Sequence, residues 1–251
     1  MPEPWIFAAL TATAVLTGFI DAIAGGGGLI MLPALIYSGL PPHTVLGTNK
    51  LQSMCGTAMA LRNYRKAGLV EIRPNLPAAT LVFVGAAAGA LVIQRFSAEI
   101  LRLVVPLLLM AVALYTILSP RMDDTDREGR ISEKGYRPFG AAIGFYDGFF
   151  GPGTGQFFAT TLVGMRGLGL TRATALTKLL NVTSNLASLL VFAVGGQVMW
   201  LLGASMAAGA MVGSWLGSHF ASRHGARLIR PLLITASLGL TARLVWDWFS
   251  R

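Results

Sequence analysis

Ten apolar segments follow one another along this chain, and the features of the first five recur in the last five. Most of them approach the ~20 residues that a helix needs to cross the hydrocarbon core of a bilayer. Only 12% of the residues are charged, against about 25% in a typical soluble domain. So little charge cannot cover a water-facing surface, and the sequence therefore predicts an all-α, polytopic integral membrane protein.

The predicted segments form an N-terminal set within residues 1–119 and a C-terminal set within residues 138–251, joined by a hydrophilic linker at residues 120–137. The first set covers Trp5 to Ala24, Leu29 to Leu40, Thr44 to Leu61, Pro77 to Gln94 and Ile100 to Leu118. The second set covers Phe139 to Phe150, Gln156 to Met165, Thr171 to Val194, Val198 to Phe220 and Leu228 to Trp248.

The second set repeats the first at an offset of 125 to 128 residues. Gly-Phe-Ile-Asp from Gly18 matches Gly-Phe-Tyr-Asp from Gly144, and Lys50 matches Lys178 in the third segment of each set. Five spans are an odd number, so the second copy would enter the membrane upside down. The pattern predicts a 5+5 inverted repeat, an arrangement that places a shared site between the two copies.

Loop charges favour this inverted arrangement. If all ten segments span, fourteen Lys and Arg residues lie on one side of the membrane and four on the other. If the second and seventh segments are re-entrant instead, the copies become parallel and the division falls to eleven against seven. Because Lys and Arg accumulate in cytoplasmic loops, we expect a cytoplasmic linker and two periplasmic termini.

The second and seventh segments are short, and each follows a glycine-rich break. Non-helical backbone at membrane depth is tolerated only where protein or a water-filled cavity satisfies its polar groups. A helix that starts after such a break presents free N–H groups and a positive dipole end, which favour anions. We expect the two breaks to meet near the middle of the membrane; they include Gly25, Gly26, Gly27, Gly28, Gly151, Gly153, Thr154 and Gly155.

Two lysines lie inside long apolar segments, where a charge is costly and is retained for a function. Lys50 shares a helical face with Ser53 and Thr57, and Lys178 shares one with Asn181 and Asn185. Two facing polar stripes of this kind predict a cradle for a small oxyanion. The candidate binding side chains are Lys50, Lys178, Asn49, Ser53, Thr177 and Asn181.

The alternative is that each lysine pairs with a carboxylate and only locks the fold. Asp21 and Asp147 are the obvious partners, since they also occupy equivalent positions of the repeat. The two interpretations can coexist, because a carboxylate beside a substrate lysine can also carry protons.

Several function classes find no support in the sequence. The net charge of +9 is spread over short loops, unlike a nucleic-acid groove. Neither glycine-rich break has a nucleotide-binding spacing, and no catalytic motif is present. We expect no enzyme activity, no cofactor, no metal site and no nucleic-acid partner; the partners are the lipid bilayer and a small anion, and a homodimer stays open.

At Gly18 to Leu51 and at Gly144 to Asn185 the chain resembles the sulfite exporter TauE/SafE family, also called TSUP permeases. The likeness lies in Asp-x-x-x-Gly-Gly-Gly-Gly with Gly-Thr-Asn-Lys in the first copy. In the second copy it lies in Asp-Gly-Phe-Phe-Gly-Pro-Gly-Thr-Gly with Thr-Lys-Leu-Leu-Asn. The resemblance implies a secondary transporter of the bacterial inner membrane that moves small anions such as sulfite or organosulfonates. An anion channel and a membrane scaffold that transports nothing are the alternatives.

Overall fold

The computed structural model describes residues 3–118 and 122–224 of the chain. These residues form nine α-helices and one short 3₁₀ turn at Arg73–Asn75. The tenth predicted segment, residues 228–248, lies outside the described residues. The helices are α1 (Pro4–Ala24), α2 (Gly27–Tyr37), α3 (Pro42–Lys66), α4 (Leu76–Ile93), α5 (Ala98–Leu118), α6 (Glu133–Phe149), α7 (Thr154–Arg166), α8 (Leu170–Val194) and α9 (Trp200–His224).

The exposed and buried sides of the molecule are those of a membrane protein. Four helical stretches within the described ranges are long and apolar enough to cross a bilayer: Pro4–Ala24, Arg73–Ile93, Leu170–Val194 and Trp200–Arg223. Large apolar side chains such as Leu16, Val84, Leu190 and Val212 are exposed, whereas Lys50, Asp147 and Lys178 are buried. This distribution confirms the prediction of an all-helical, multi-pass membrane protein.

Two helices differ most from their predicted bounds. α6 begins at Glu133, six residues before the predicted start, because the Ser132 hydroxyl accepts a hydrogen bond from the Gly135 N–H and caps the helix. α3 continues past Leu61 to Lys66. Both extensions are polar helix turns, so a search for apolar runs stops short of them.

The two halves of the chain interlock. α1 packs along α9, and α6, its counterpart in the second half, packs along α4, the counterpart of α9. Glycines allow these helices to approach backbone to backbone: a Cβ on Gly213 would lie 1.9 Å from the Val15 carbonyl oxygen, and one on Gly89 would lie 2.0 Å from that of Phe145. Each half therefore gives its fourth helix to the other half.

This exchange produces two bundles, which we call bundle A (α1, α2, α3 and α9) and bundle B (α4, α6, α7 and α8). Within each bundle the helices pack side by side, and the main contact between the bundles is α3 against α8. These are the two helices that carry Lys50 and Lys178.

The two glycine-rich breaks contact each other, as predicted. α1 ends at Gly25, whose φ of 77° lies in the left-handed region, and α7 begins just after Gly153, with φ of 80°. A Cβ on Gly25 would lie 2.7 Å from the Gly155 backbone. The short helices α2 and α7 thus start from one point between the bundles.

The predicted linker packs against the turn between α7 and α8. We call residues 122–131 the strap. Its backbone N–H groups at Arg127 and Ile131 donate to the carbonyls of Gly167 and Met165, at 2.7 and 3.1 Å. The Asp124 carboxylate accepts from the N–H of Thr171 in the first turn of α8, and the Asp126 carboxylate accepts from the N–H of Gly169, the residue just before the helix; both N···O distances are 2.7 Å. Acidic side chains at a helix N-terminus stabilise it.

Candidate functional site

Two lysine–aspartate pairs cross between the halves of the chain. Lys50 Nζ on α3 lies 2.9 Å from Oδ1 of Asp147 on α6. Lys178 Nζ on α8 lies 3.4 Å from Oδ2 of Asp21 on α1. Each ammonium also donates to the backbone oxygen of the same aspartate. Both pairs join bundle A to bundle B, so each charge placed in the apolar interior has an opposite charge beside it.

Asp147 is held by three side chains. Besides Lys50, its Oδ1 accepts from the Thr154 hydroxyl at 3.1 Å, and its Oδ2 accepts from the Ser184 hydroxyl. Its side chain is only 4% exposed. Three donors on one buried carboxylate satisfy most of its lone pairs.

Asp21 is held less tightly than its counterpart. Lys178 contacts it at the longer distance of 3.4 Å, and 23% of its side chain is exposed although Lys178 itself is 0% exposed. The pair with Lys178 is the only side-chain hydrogen bond to Asp21 that we find among the described residues.

A polar cavity of about 30 Å³, which we call the central cavity, lies where the two breaks and the two long helices α3 and α8 meet. Both Asp21 and Asp147 face it, and Lys50 provides its one ammonium group among the lining residues. The first turn of α7 forms part of the wall. The full lining consists of Asp21, Gly25, Gly28, Asn49, Lys50, Ser53, Thr57, Asp147, Gly151, Gly153, Thr154, Gly155, Asn181 and Asn185.

A second cavity of about 20 Å³, which we call the side chamber, lies inside bundle A, between α1, α2, α3 and α9. Asp21, Gly28, Ser53 and Thr57 line both cavities. The remaining lining residues of this side chamber are Thr17, Gly18, Gly27, Gln52, Gly56, Ala210 and Ser214.

Most of the candidate site residues predicted from the sequence line the central cavity. Lys178 and Thr177 do not: both are buried, and the Thr177 hydroxyl has no hydrogen-bond partner among the described residues. Gly27 lines only the side chamber, and Gly26 lines neither cavity. Asn181 lines the central cavity with a buried Oδ1 that has no donor within the described ranges.

Ser184 and Gln52 are site residues that the sequence analysis missed. Ser184 lies six residues after Lys178, off the helical stripe on which the predicted residues fall, and it reaches Asp147 on a helix of its own bundle. Gln52 donates to Asn49 Oδ1 at 3.0 Å and to Ser53 Oγ at 3.1 Å. Gln52 lies two residues after Lys50 and is therefore off the helical face that Lys50 shares with Ser53 and Thr57. It belongs to the site because its amide holds two candidate residues, and helical spacing from Lys50 does not reveal this role.

Comparison with known proteins agrees with this architecture. The model of the sulfite exporter TauE/SafE family matches residues 10–244. The chain belongs to the sulfite exporter TauE/SafE family. TauE/SafE relatives include a probable membrane transporter protein of Haemophilus influenzae, 42% identical over 97% of both chains. The probable membrane transporter protein ORF9 of a Sinorhizobium species is 42% identical over 96% of this chain and 93% of its own length.

The probable membrane transporter protein YfcA of Escherichia coli is 39% identical over 98% of this chain and 92% of its own length. No solved structure gives a significant match. The TauE/SafE match and these full-length relatives establish a multi-pass membrane protein of a transporter family.

Proposed function

We propose that this protein is a secondary transporter that moves a small oxyanion, such as sulfite or an organosulfonate, across the bacterial inner membrane by alternating access. The observation that carries the proposal is the central cavity, where the Lys50 ammonium and the first turn of α7 face the same buried space. A full positive charge beside the positive dipole end of a helix is a combination that favours anions.

The Lys50 ammonium at the central cavity is already paired with Asp147. An entering oxyanion therefore competes with the Asp147 carboxylate for the ammonium, and this ion pair must part to admit it. The pairing supports a state in which the anion site is closed.

The exchange of helices between the halves determines which parts of the protein can move apart during transport. The two sequence halves cannot move as bodies, because the α1–α9 and α4–α6 contacts join them backbone to backbone. Bundles A and B can tilt against each other along the α3–α8 contact, with the central cavity on the axis of motion. Such rocking opens the cavity first to one side and then to the other.

Topology is part of the proposal. The excess of Lys and Arg on one side of the ten segments supports a cytoplasmic strap and two periplasmic termini. Cysteines introduced at Thr125 in the strap and at Glu3 near the N-terminus test it, since a membrane-impermeant thiol reagent should label only the Glu3→Cys variant in intact cells. Labelling of the strap alone would reverse the orientation.

Flux into proteoliposomes tests the function. We expect the purified protein to carry radiolabelled sulfite and methanesulfonate, and Lys50→Gln to lower the flux at least tenfold. Lys66→Ala, at the exposed end of the same helix, is the matched control and should keep the normal flux. Normal flux in Lys50→Gln would remove the site assignment.

Single-channel currents would instead indicate an anion channel. Absence of flux, together with no thermal stabilisation by sulfite, sulfonates, sulfate or carboxylates, would indicate a scaffold.

A further inference from the structure

The surroundings of Asp21 and Asp147 differ at two defined positions of the repeat. Asp147 is held by the Thr154 and Ser184 hydroxyls. The offset of 126 residues that relates Asp147 to Asp21 relates Thr154 to Gly28. The offset of 128 residues that relates Lys178 to Lys50 relates Ser184 to Gly56. Glycine therefore stands at both positions that supply hydroxyl donors to Asp147.

The two glycines also create space beside Asp21. Gly28 and Gly56 both line the side chamber, whose volume of about 20 Å³ is enough for a water molecule. Asp21 faces this chamber and the central cavity at once. It is the partly exposed carboxylate of the two, at 23% against 4% for Asp147.

The net charge of the two lysines and two aspartates determines whether the site attracts an anion. With both lysines and both aspartates charged, the four groups sum to zero, and an anion gains no net attraction from them. Protonation of one carboxylate leaves a net charge of +1, which a monoanion neutralises. A neutral loaded site also avoids moving a net charge across the membrane.

We propose that Asp21 is the proton-binding group that couples anion movement to a proton, while Asp147 stays charged as the fixed partner of Lys50. The proposal rests on the proposed transport function. A proton from water in the central cavity or the side chamber binds a carboxylate oxygen of Asp21, the Lys178 ammonium loses its counter-charge, and the anion enters. The proton leaves Asp21 on the other side of the membrane with the anion, so both move in the same direction.

Few other titratable groups lie near Asp21 in the part of the chain that the structure describes. Lys178 faces it from α8, and Tyr64 of α3 lies behind it, with its hydroxyl donating to the Ala22 carbonyl at 2.9 Å. Lys50 of α3 and Asp147 of α6 share the central cavity. The lining residues that α2, α7 and α9 contribute to the two cavities are uncharged.

Infrared difference spectroscopy of the purified protein tests the proton site without any transport. Acidification also protonates exposed carboxylates, so the band that tests the proposal is the protonated-carboxyl component left after subtraction of the Asp21→Asn spectrum. This component should be present in the parent protein and should persist in Asp147→Asn. Its absence from the parent protein, or its loss in Asp147→Asn, overturns the proposal.

Gly28→Thr tests the same point without removing a charge. It copies Thr154 beside Asp21, and the added Cβ would lie 3.3 Å from the nearest atom, Pro152 Cα. A hydroxyl donor favours the charged carboxylate, so the band should require a buffer more acidic by about one pH unit or more. Gly28→Ala adds the Cβ without the hydroxyl and should leave the band at its original pH; an equal shift in both variants overturns the proposal.

Flux measurements separate this proposal from the transport function on which it rests. Radiolabelled methanesulfonate is the probe, because it stays a monoanion in every buffer used. An acidic exterior should accelerate its uptake several-fold in the parent protein and have no effect in Asp21→Asn. Uptake that ignores the pH gradient in the parent protein overturns proton coupling but keeps the transporter; no uptake at all removes methanesulfonate transport, and the infrared result then decides the proton site.

Discussion

Lys50 and Asp147 lie 97 residues apart in the chain, yet their side chains form a buried ion pair with an N···O distance of 2.9 Å. The repeat-related pair, Lys178 and Asp21, crosses in the opposite direction, from the second half back to the first. Both pairs link bundle A to bundle B at the level of the central cavity. In the proposed transport mechanism, the interface that opens is therefore the one that these charges hold.

Lys50→Ala should destabilise the protein by about 3–5 kcal/mol, because it leaves the Asp147 carboxylate buried without its counter-charge. Thermal unfolding of the detergent-solubilised protein measures the loss. Lys66→Ala, on an exposed turn of the same helix, should change the free energy of unfolding by less than about 0.5 kcal/mol.

The double variant Lys50→Met with Asp147→Leu should recover much of the stability, since a buried ion pair can often be replaced by apolar side chains at little cost. A Lys50→Ala protein as stable as Lys66→Ala would show that the pair contributes nothing to the fold.

Gly155→Ala should reduce both stability and flux, because its Cβ would lie 2.5 Å from Gly25 Cα, where the two breaks touch. Overpacking of this kind costs about 1–3 kcal/mol. Gly164→Ala, in the same helix α7, has no atom within 4 Å of the new Cβ and should be neutral or slightly stabilising. Equal unfolding temperatures for the two variants would contradict a close contact between the breaks.

A disulfide between residues 28 and 152 should lock the bundles together. A Cβ built on Gly28 lies 3.7 Å from the Pro152 Cβ, close to the ~3.8 Å found in natural disulfides. In a Cys55→Ala background, oxidation of Gly28→Cys with Pro152→Cys should stop methanesulfonate flux, and reduction should restore it. The two single variants serve as controls, and undiminished flux in the oxidised protein would contradict movement between bundles A and B.

Asp126 should stabilise the strap in a pH-dependent way. The hydrogen bond from the Gly169 N–H, followed by the contact with Arg172, holds the pKa of Asp126 below its ordinary value of 3.8. Because the folded protein binds this proton less readily than the unfolded chain, the stabilisation is complete above about pH 4 and is lost as the pH falls through the lowered pKa.

Asp126→Asn should therefore cost less than about 1 kcal/mol at neutral pH, given its exposure, and nothing in strong acid. Trypsin cleavage after Arg127 and Arg130 should be faster in this variant, with Glu128→Gln as the control in the same segment. Unchanged cleavage would contradict a strap held by Asp126.

Apolar run lengths were enough to predict the described helices, including the short α2 and α7, and the glycine-rich sequences before these two helices predicted that the breaks meet. They predicted Lys50, Lys178, Asp21 and Asp147 as site residues because a charge in an apolar segment is conspicuous. The polar first turns of α6 and last turns of α3 could not be found this way, since they carry no apolar period and depend on a cap and on basic side chains.

The sequence could not predict which helices pack against each other or which lysine pairs with which aspartate. The repeat shows that α4 and α9 are equivalent, but only packing shows that each joins the first helix of the other half. Packing alone likewise shows that Lys50 reaches Asp147 rather than Asp21. Ser184 enters the site because α6 and α8 belong to one bundle, a relation that spacing along α8 does not contain.

The exchange of fourth helices also sets the order in which the protein can be completed during synthesis. When α1 leaves the ribosome, the backbone groove that receives Gly213 and Gly217 has no neighbour until nearly two hundred residues later, when α9 emerges. The N-terminal half is thus an assembly intermediate that lies in the bilayer without its packing partner until α9 is synthesised. Nascent chains stalled before α9 should consequently be recognised by membrane quality-control proteases, however complete their first five helices are.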